Sequence, residues 1–509
     1  MVTLQRKWTM TASSSHRDVL RHALWADVAS HSDADLLRTI VVATGLSWSA
    51  VFVAIGLRYE LQLFGDGSIF SYSIAVEDAW AVHWHNISGR LFTYFFSILP
   101  AKTYVELTKD AHGAIFLYGV LHFAAPLLGL LATWAADRSK DRTIFVYACL
   151  STAVLAPLVF GFPTEMWIAH AIFWPALAIS HYRSSGIGGF ALVFTVLLAL
   201  AFTHEGALVF VAAILATLAI RGIGNAPSLK CIGALSIVMP IWLFVKLTFP
   251  PDSYYAPVFV RSALHFFDAT IFETDLVLLV FGALTTYLLA FILLWRRTHS
   301  KAWLYASLIV TIELAVYWLW FDQGLHATNR YYMRTALVIV APVLGVLAVA
   351  RRSDAERWRL PFEVPRLMGF INADKGRGTI WAVFGMFCVI TLVYAVETIK
   401  FVVAWNDYKT VVRALAMGTE SDPNLGDLHF VSSTRIDASL ERLSWNSTTP
   451  YLSVLLAPGF APARLVVDPA SNYFWFSCET AKENLDADRT GSKESRELVR
   501  IYACLHRYH

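Results

Sequence analysis

The chain has 509 residues, of which 57% are hydrophobic and only 16% are charged, and its formal net charge is +3. An ordinary soluble domain has roughly 45–50% apolar residues, whereas this chain has a mean hydropathy of +0.53. The composition excludes a soluble globular protein, and the small net charge gives no support for nucleic-acid binding. Five cysteines are too few for a disulfide framework. We therefore expect most of the chain to contact membrane lipids.

The N-terminal segment 1–36 contains Arg6, Lys7, Arg17 and Arg21 but lacks an apolar core followed by a small-residue cleavage site. We expect it to be cytoplasmic and the first apolar segment, 37–60, to remain in the membrane as a signal anchor. A long amphipathic stretch, 61–110, follows and forms the first outer loop in this interpretation.

Ten further apolar segments are long enough to cross roughly 30 Å of hydrocarbon. They are 112–135, 144–162, 166–181, 189–203, 207–221, 229–249, 275–295, 302–320, 335–350 and 379–404. The stretch 189–221 is divided into two because His204, Glu205 and Gly206 interrupt it, and a charged pair within hydrocarbon is costly. The fold class predicted for 37–404 is an all-α polytopic membrane protein with about 11 transmembrane helices.

The distribution of lysine and arginine orients these segments, because short cytoplasmic loops carry an excess of both residues. With the N-terminus inside, every strongly basic loop is cytoplasmic, including the linker 351–378. The odd number of spans then puts the tail, 405–509, on the periplasmic side of a bacterial inner membrane.

The tail has mixed polarity, turn-forming residues and β-type runs such as Ala463 to Val467. These features predict a small extracytoplasmic α/β domain. Cys478 and Cys504 lie in it, and on the oxidising side of a membrane they could pair as a disulfide. Two free thiols are the alternative.

Polar side chains collect in the predicted outer loops, where short turns need only Gly, Pro, Asn or Ser. They are Asp66, Glu77, Asp78, His83, His85, Asn86, Arg90, Glu165, His204, Glu205, Asp322, His326, Asn329, Arg330 and Arg334. Each has an ordinary alternative role: Glu165 as a solvated helix end or the partner of an arginine, and His204 as a cap of its neighbouring helix. Glu313 and Glu397 fall inside spans, where they are expected to be protonated or paired with a residue such as Lys246 or Lys400.

Two short motifs carry a resemblance to a known family. Glu77-Asp78, followed by Ser88-Gly89-Arg90, resembles the DD…NGR pattern of bacterial membrane glycosyltransferases of the GT-C superfamily, with Glu77 in place of the first aspartate and Ser88 in place of the asparagine. The HEG turn at 204–206 and the arginine-bearing loop at 329–334 resemble features of the same proteins. The likeness in architecture covers most of the chain.

The resemblance implies an inverting glycosyltransferase. Such an enzyme moves a sugar from a polyprenyl-phosphate carrier to an extracytoplasmic glycan, lipid or protein acceptor. A carboxylate must accept the proton of the acceptor; Asp78 is our first candidate, and Asp66 and Glu77 are the others. The donor phosphate needs cationic ligands, for which the candidates are Arg330, Arg334, Arg90 and His204. Residues expected to bind the sugar or to position these groups are Glu165, Glu205, Trp84 and His326. The acids are compatible with a divalent metal cofactor, although no ligand spacing requires one.

A polytopic transporter or lipid flippase for envelope polysaccharide precursors is the main alternative, because Glu313 and Glu397 could carry protons or cations through a bundle. A non-catalytic partner in polysaccharide export is the third. The gathering of polar residues at one predicted face favours the enzyme.

Overall fold

A computed structural model of the chain describes residues 33–75, 90–159, 165–222, 224–249, 275–298, 301–321, 327–350, 377–418, 430–441, 443, 448–460 and 462–467. These residues are mostly helical, which confirms the predicted helical membrane-protein class. The long helices are α1 (Asp33–Arg58), α4 (Ala111–Ala136), α5 (Thr143–Val159), α6 (Glu165–Tyr182), α7 (Gly186–Ala201), α8 (Ala207–Arg221), α9 (Ala226–Thr248), α10 (Asp275–Thr298), α11 (Ala302–Val316), α12 (Ala327–Ala350) and α13 (Arg377–Met417).

Four of these helices are long and apolar enough, by length and composition, to cross a membrane. They contain the stretches Asp35–Arg58, Ala111–Ala136, Ala226–Thr248 and Trp381–Met417. The remaining long helices also coincide with predicted apolar segments, but the count of eleven spans stays a prediction. Large apolar side chains are exposed along the helix surfaces, such as Phe244 and Leu247 on α9 and Leu293 on α10. Soluble proteins rarely expose so much contiguous apolar surface, so these faces are suited to lipid.

The interior of the bundle contains glycines where two helices approach closely. A Cβ atom at Gly129 of α4 would lie 2.3 Å from the carbonyl oxygen of Ala171 on α6, and one at Gly45 of α1 would lie 2.5 Å from that of Cys149 on α5. Small residues permit such close approach of membrane helices. The approach of α4 to α6 determines where the beginning of α6, with Glu165, lies.

Basic residues of two predicted cytoplasmic loops contact the ends of neighbouring helices. Arg183 donates to the carbonyl oxygen of Ala135 at 2.9 Å, Lys230 to that of Ser184 at 2.8 Å, and Arg221 to that of His181 at 3.0 Å. Cations stabilise the carbonyl ends of helices. These loops therefore lie together at one end of the bundle; we call the opposite end, where α1 ends and α4 begins, the outer end.

Short elements cover the outer end. A buried 3-10 turn, Leu61–Leu63, follows α1 and leads to α2 (Asp66–Ala75), most of which is buried. Beyond 76–89 come the helical turn Leu91–Thr93, a π-helical segment Tyr94–Ile98 and α3 (Leu99–Thr108). Asp110 then begins α4 as its N-cap by accepting a hydrogen bond from Gly113 N at 2.9 Å.

The last long helix continues past 404, where the predicted span ends, to Met417. The reason is an amphipathic continuation: Trp405, Tyr408, Val412 and Ala416 recur at helical spacing and are all buried. This extension is fixed to the end of α1, since Trp405 Nε1 donates to the carbonyl oxygen of Tyr59 at 3.0 Å.

Beyond α13 the described residues form a two-stranded parallel sheet and two helices. Strands β1 (Phe430–Ser432) and β2 (Leu465–Val467) pair with Phe430 opposite Leu465. The helices are α14 (Ala438–Glu441) and α15 (Thr449–Leu456). The ring centroids of Tyr451 on α15 and Tyr72 on α2 are 5.4 Å apart, so this region contacts the outer end. The assignment of 405–509 as a separate α/β domain stays a prediction.

Candidate functional site

A buried cluster of charged residues lies at the outer end, with Arg90 at its centre. The Nη1 atom of Arg90 donates to Glu165 Oε1 at 2.7 Å, and its Nε atom lies 3.8 Å from Glu205 Oε2. The Nη2 atom lies 3.3 Å from His204 Nε2. Arg90, Glu165 and the 204–205 turn are far apart in sequence, so three of the predicted outer loops meet at one place.

Backbone contacts hold Arg90 in this position. The residue forms the N-cap of the turn Leu91–Thr93. In that turn Phe92 N donates to the carbonyl oxygen of Phe202 at 2.9 Å, and Thr93 Oγ1 donates to that of Thr203 at 3.4 Å. These two bonds attach the end of the first outer loop to the turn that connects α7 and α8.

The turn between α7 and α8 contains the HEG sequence, residues 204–206, as expected. His204 Nδ1 accepts a hydrogen bond from Gly206 N at 3.0 Å, which holds the turn together. The N-cap of α8 is Gly206, and no side chain caps this helix end, so the role of a helix cap considered for His204 is not found. The same ring reaches Arg90 through Nε2. Gly206 packs tightly here: a Cβ atom on it would lie 3.1 Å from Met166 Sδ and 3.3 Å from His204 Nδ1, so a larger residue would require these side chains to shift by a few tenths of an ångström.

Glu205 is paired with two cations. Its Oε1 atom accepts a hydrogen bond from Lys246 Nζ near the end of α9, and its Oε2 atom faces Arg90. Burial by itself would raise the pKa of Glu205, but the charges of Arg90, His204 and Lys246 outweigh burial and lower the pKa to about 2. Glu205 is therefore ionised, and the cluster contains Arg90 and Lys246 balanced by Glu165 and Glu205.

Two further ionisable rings, those of Tyr118 and His122, lie on α4. The ring centroid of Tyr118 is 6.4 Å from that of Phe70 on α2 and 5.9 Å from that of His122. Asp66 is the first residue of α2 and follows Gly65, whose φ of 57° gives a left-handed turn. One of the candidate bases thus lies at the same end of the bundle as the charged cluster.

Sequence reasoning missed Tyr118, His122 and the Lys246–Glu205 pair. His122 is buried, and among the described residues neither of its ring nitrogens has a hydrogen-bond partner. The signal was present, because an ionisable ring inside an apolar span is costly and is usually functional. Lys246 was considered only as a partner for the intramembrane acids, whereas Glu397 pairs with Lys400 at 3.0 Å.

Several predicted residues fall outside the described ones: Glu77, Asp78, Trp84, Asp322, His326, Cys478 and Cys504. Arg330 and Arg334 are in the first part of α12, one turn apart on one face, but their side chains are not described. In the described ranges no group of three or more His, Cys, Asp or Glu residues is arranged to hold a metal ion.

No protein-family model matches the chain, and no curated protein matches it at a significant level.

Proposed function

We propose that this protein is a membrane glycosyltransferase that transfers a sugar from a polyprenyl-phosphate carrier to an acceptor outside the cytoplasm. The observation that supports the proposal best is the buried cluster joining Arg90, Glu165, Glu205 and Lys246 at the end of the bundle where Asp66 begins α2. A loop that only connects two transmembrane helices needs no such network. Burying charged groups costs free energy unless they are well paired. Its place at the predicted periplasmic end is where an enzyme using a lipid-linked donor would have its site.

In this proposal the cluster positions the site rather than binding the donor phosphate. Arg90 and Lys246 are already paired with carboxylates, so they offer little free charge to a phosphate. Arg90 instead anchors the end of the Glu77–Arg90 motif against α6 and the HEG turn. Arg330 and Arg334 are then the candidates for the donor phosphate, since guanidinium groups bind phosphate oxygens in a bidentate manner.

The reaction needs one base and one stabilised leaving group. An acceptor oxygen attacks the anomeric carbon and its proton passes to a carboxylate, for which Asp78 and Asp66 are the candidates. The bond between the anomeric carbon and the phosphate oxygen breaks, and polyprenyl phosphate leaves with the negative charge. Positioned general bases typically contribute 10²–10⁴-fold to turnover.

Transport is the second candidate function because of Glu313. Its Oε2 atom is buried in α11 and has no hydrogen-bond partner among the described residues. An acid placed inside a membrane bundle is by default a candidate functional residue. A transporter would use such a group along a pathway, whereas the proposed enzyme does not need it.

The test supplies labelled polyprenyl-phosphate sugar and an acceptor-containing membrane extract to the purified protein. The wild type should leave labelled sugar covalently bound to acceptor, and either Asp78→Asn or Asp66→Asn should reduce turnover by about 10²–10⁴-fold. Asp110→Asn is a matched control at the same end of the bundle, since asparagine remains a good N-cap for α4. Full turnover in both Asp78→Asn and Asp66→Asn would reject these two carboxylates as the base, and a wild type that leaves no label covalently bound to acceptor would reject the enzyme. Labelled precursor crossing proteoliposomes without covalent transfer would establish the transporter.

A further inference from the structure

A second site lies at the outer end, away from the charged cluster. It is a groove of about 600 Å³ between the end of α1, the beginning of α4 and the segment following α15. Arg58, His112 and Arg413 line its polar part, and Leu57, Phe116 and Leu455 are among the residues of its apolar part. The ring of His112 stacks on that of Phe460 with centroids 4.4 Å apart, which holds the segment after α15 against α4.

The polar part of the groove has an excess of positive charge. Its acidic residue Glu60 is paired with Lys409 outside the groove at 2.7 Å. Neither Arg58 nor Arg413 forms an ion pair with any residue that the structure describes. Among the described residues Arg413 bonds only through its Nε atom, which donates to the carbonyl oxygen of Leu456 at 3.0 Å, so none of these residues occupies its terminal nitrogens.

The groove also lies at the expected boundary between lipid head groups and hydrocarbon. Arg58 is the last residue of α1 and His112 the second residue of α4, and both helices contain candidate membrane spans. Phe116, one turn further into α4, is 53% exposed inside its candidate span. An exposed aromatic ring inside a membrane-spanning segment faces acyl chains rather than water.

We propose that this groove binds an anionic phospholipid, with its phosphate between Arg58 and Arg413 and an acyl chain along Leu57 and Phe116. Guanidinium groups hold phosphate oxygens by bidentate, charge-assisted hydrogen bonds. The apolar side chains next to them select a molecule that carries a hydrophobic chain beside its phosphate. Since Arg413 lies on the extension of α13, the bound lipid would join α1 and α4 to this extension. The site is independent of the proposed transferase chemistry.

The experiment titrates the purified full chain with phosphatidylglycerol and, separately, with zwitterionic phosphatidylcholine, and counts retained lipids by native mass spectrometry. The wild type should retain phosphatidylglycerol preferentially. Each of Arg58→Ala and Arg413→Ala should weaken retention about fivefold, from the roughly 1 kcal/mol that a basic residue contributes near an anionic lipid. Arg413→Lys keeps the charge but loses the planar guanidinium group, so its retention of phosphatidylglycerol should lie between that of the wild type and that of Arg413→Ala.

Lys102→Ala is the matched control, because Lys102 is a cation of the same outer end that pairs with Glu106 at 3.6 Å and does not line the groove. It should retain lipid as the wild type does.

Arg58 is exposed, so Arg58→Ala should elute as the wild type does in gel filtration, and its result decides the proposal even where Arg413→Ala fails to fold. Equal retention of both lipids, or of phosphatidylglycerol by wild type and Arg58→Ala, would overturn the proposal. Displacement of the lipid by millimolar inorganic phosphate or by glycerophosphoglycerol would also overturn it, because the groove would then bind a free phosphate group.

Discussion

Arg90 and Glu165 form an ion pair at 2.7 Å across 75 residues of sequence, and the two side chains are only 8% and 5% exposed. The pair joins the end of the first outer loop to the first residue of α6. Because both side chains are buried, water cannot easily replace either partner of the pair. The position of the loop therefore depends on both residues.

Breaking this pair on one side should destabilise the protein strongly. Arg90→Ala leaves the carboxylates of Glu165 and Glu205 buried without their shared cation, and removal of one partner of a buried pair typically costs about 3–5 kcal/mol. Glu165→Gln should lower the free energy of unfolding by less, because Arg90 still has the carboxylate of Glu205 as a partner. Thermal melts of the detergent-purified variants measure both effects, and a double-mutant cycle isolates the coupling.

The exposed pair Lys102–Glu106, at 3.6 Å, provides the control for that cycle. Its coupling should lie within about 0–1 kcal/mol, as for other surface pairs. A coupling between Arg90 and Glu165 no larger than this would contradict the importance assigned to the cluster.

The second prediction concerns pH and Glu205. Its pKa is lowered in the folded protein from 4.5 to about 2, so ionised Glu205 stabilises the fold above its unfolded pKa. The stabilisation is lost as the pH falls from about 4.5 toward 2. The difference in melting temperature between wild type and Glu205→Gln should thus stay constant from pH 8 to pH 5 and shrink below about pH 4.5. A difference that changes between pH 6 and pH 8 would mean that Glu205 titrates with a raised pKa instead.

The third prediction tests the close approach of α4 and α6. Gly129→Ala places a methyl group 2.3 Å from the carbonyl oxygen of Ala171, and such overpacking typically costs about 1–3 kcal/mol. Gly385→Ala in α13 has no atom within 4 Å of the new Cβ. Since alanine is the better helix former, this control should melt at the wild-type temperature or slightly above it. Equal melting temperatures for the two variants would argue against the packing.

The fourth prediction tests the orientation of the chain. A reporter enzyme fused after His509 should be active only as an extracytoplasmic fusion, and one fused after Ser353 should behave as cytoplasmic, because basic loops stay inside. Fusion activities measured in whole cells decide this. The reverse pattern would put the charged cluster on the cytoplasmic side and remove the basis for a periplasmic transferase site.

The positions of the helices were determined by the sequence itself. Apolar segments between polar interruptions predict helices because the backbone must satisfy its own hydrogen bonds in lipid, and α1, α4, α6 and α8 lie within a few residues of the segments 37–60, 112–135, 166–181 and 207–221. The break at His204–Gly206 followed from the cost of charge in hydrocarbon. The sequence also indicated that Arg90, Glu165 and Glu205 belong at one end of the bundle.

Tertiary structure alone decided which of those residues touch. Periodicity gives the face of a helix but not the rotation and spacing of its neighbours, and these depend on contacts such as that of Gly129 with Ala171. For that reason Lys246 pairs with Glu205 rather than with an intramembrane acid. The same holds for α13, whose continuation to Met417 depends on the burial of Trp405 and Tyr408. Ion pairs between distant segments are fixed by packing, because only the folded bundle brings their side chains within a few ångströms.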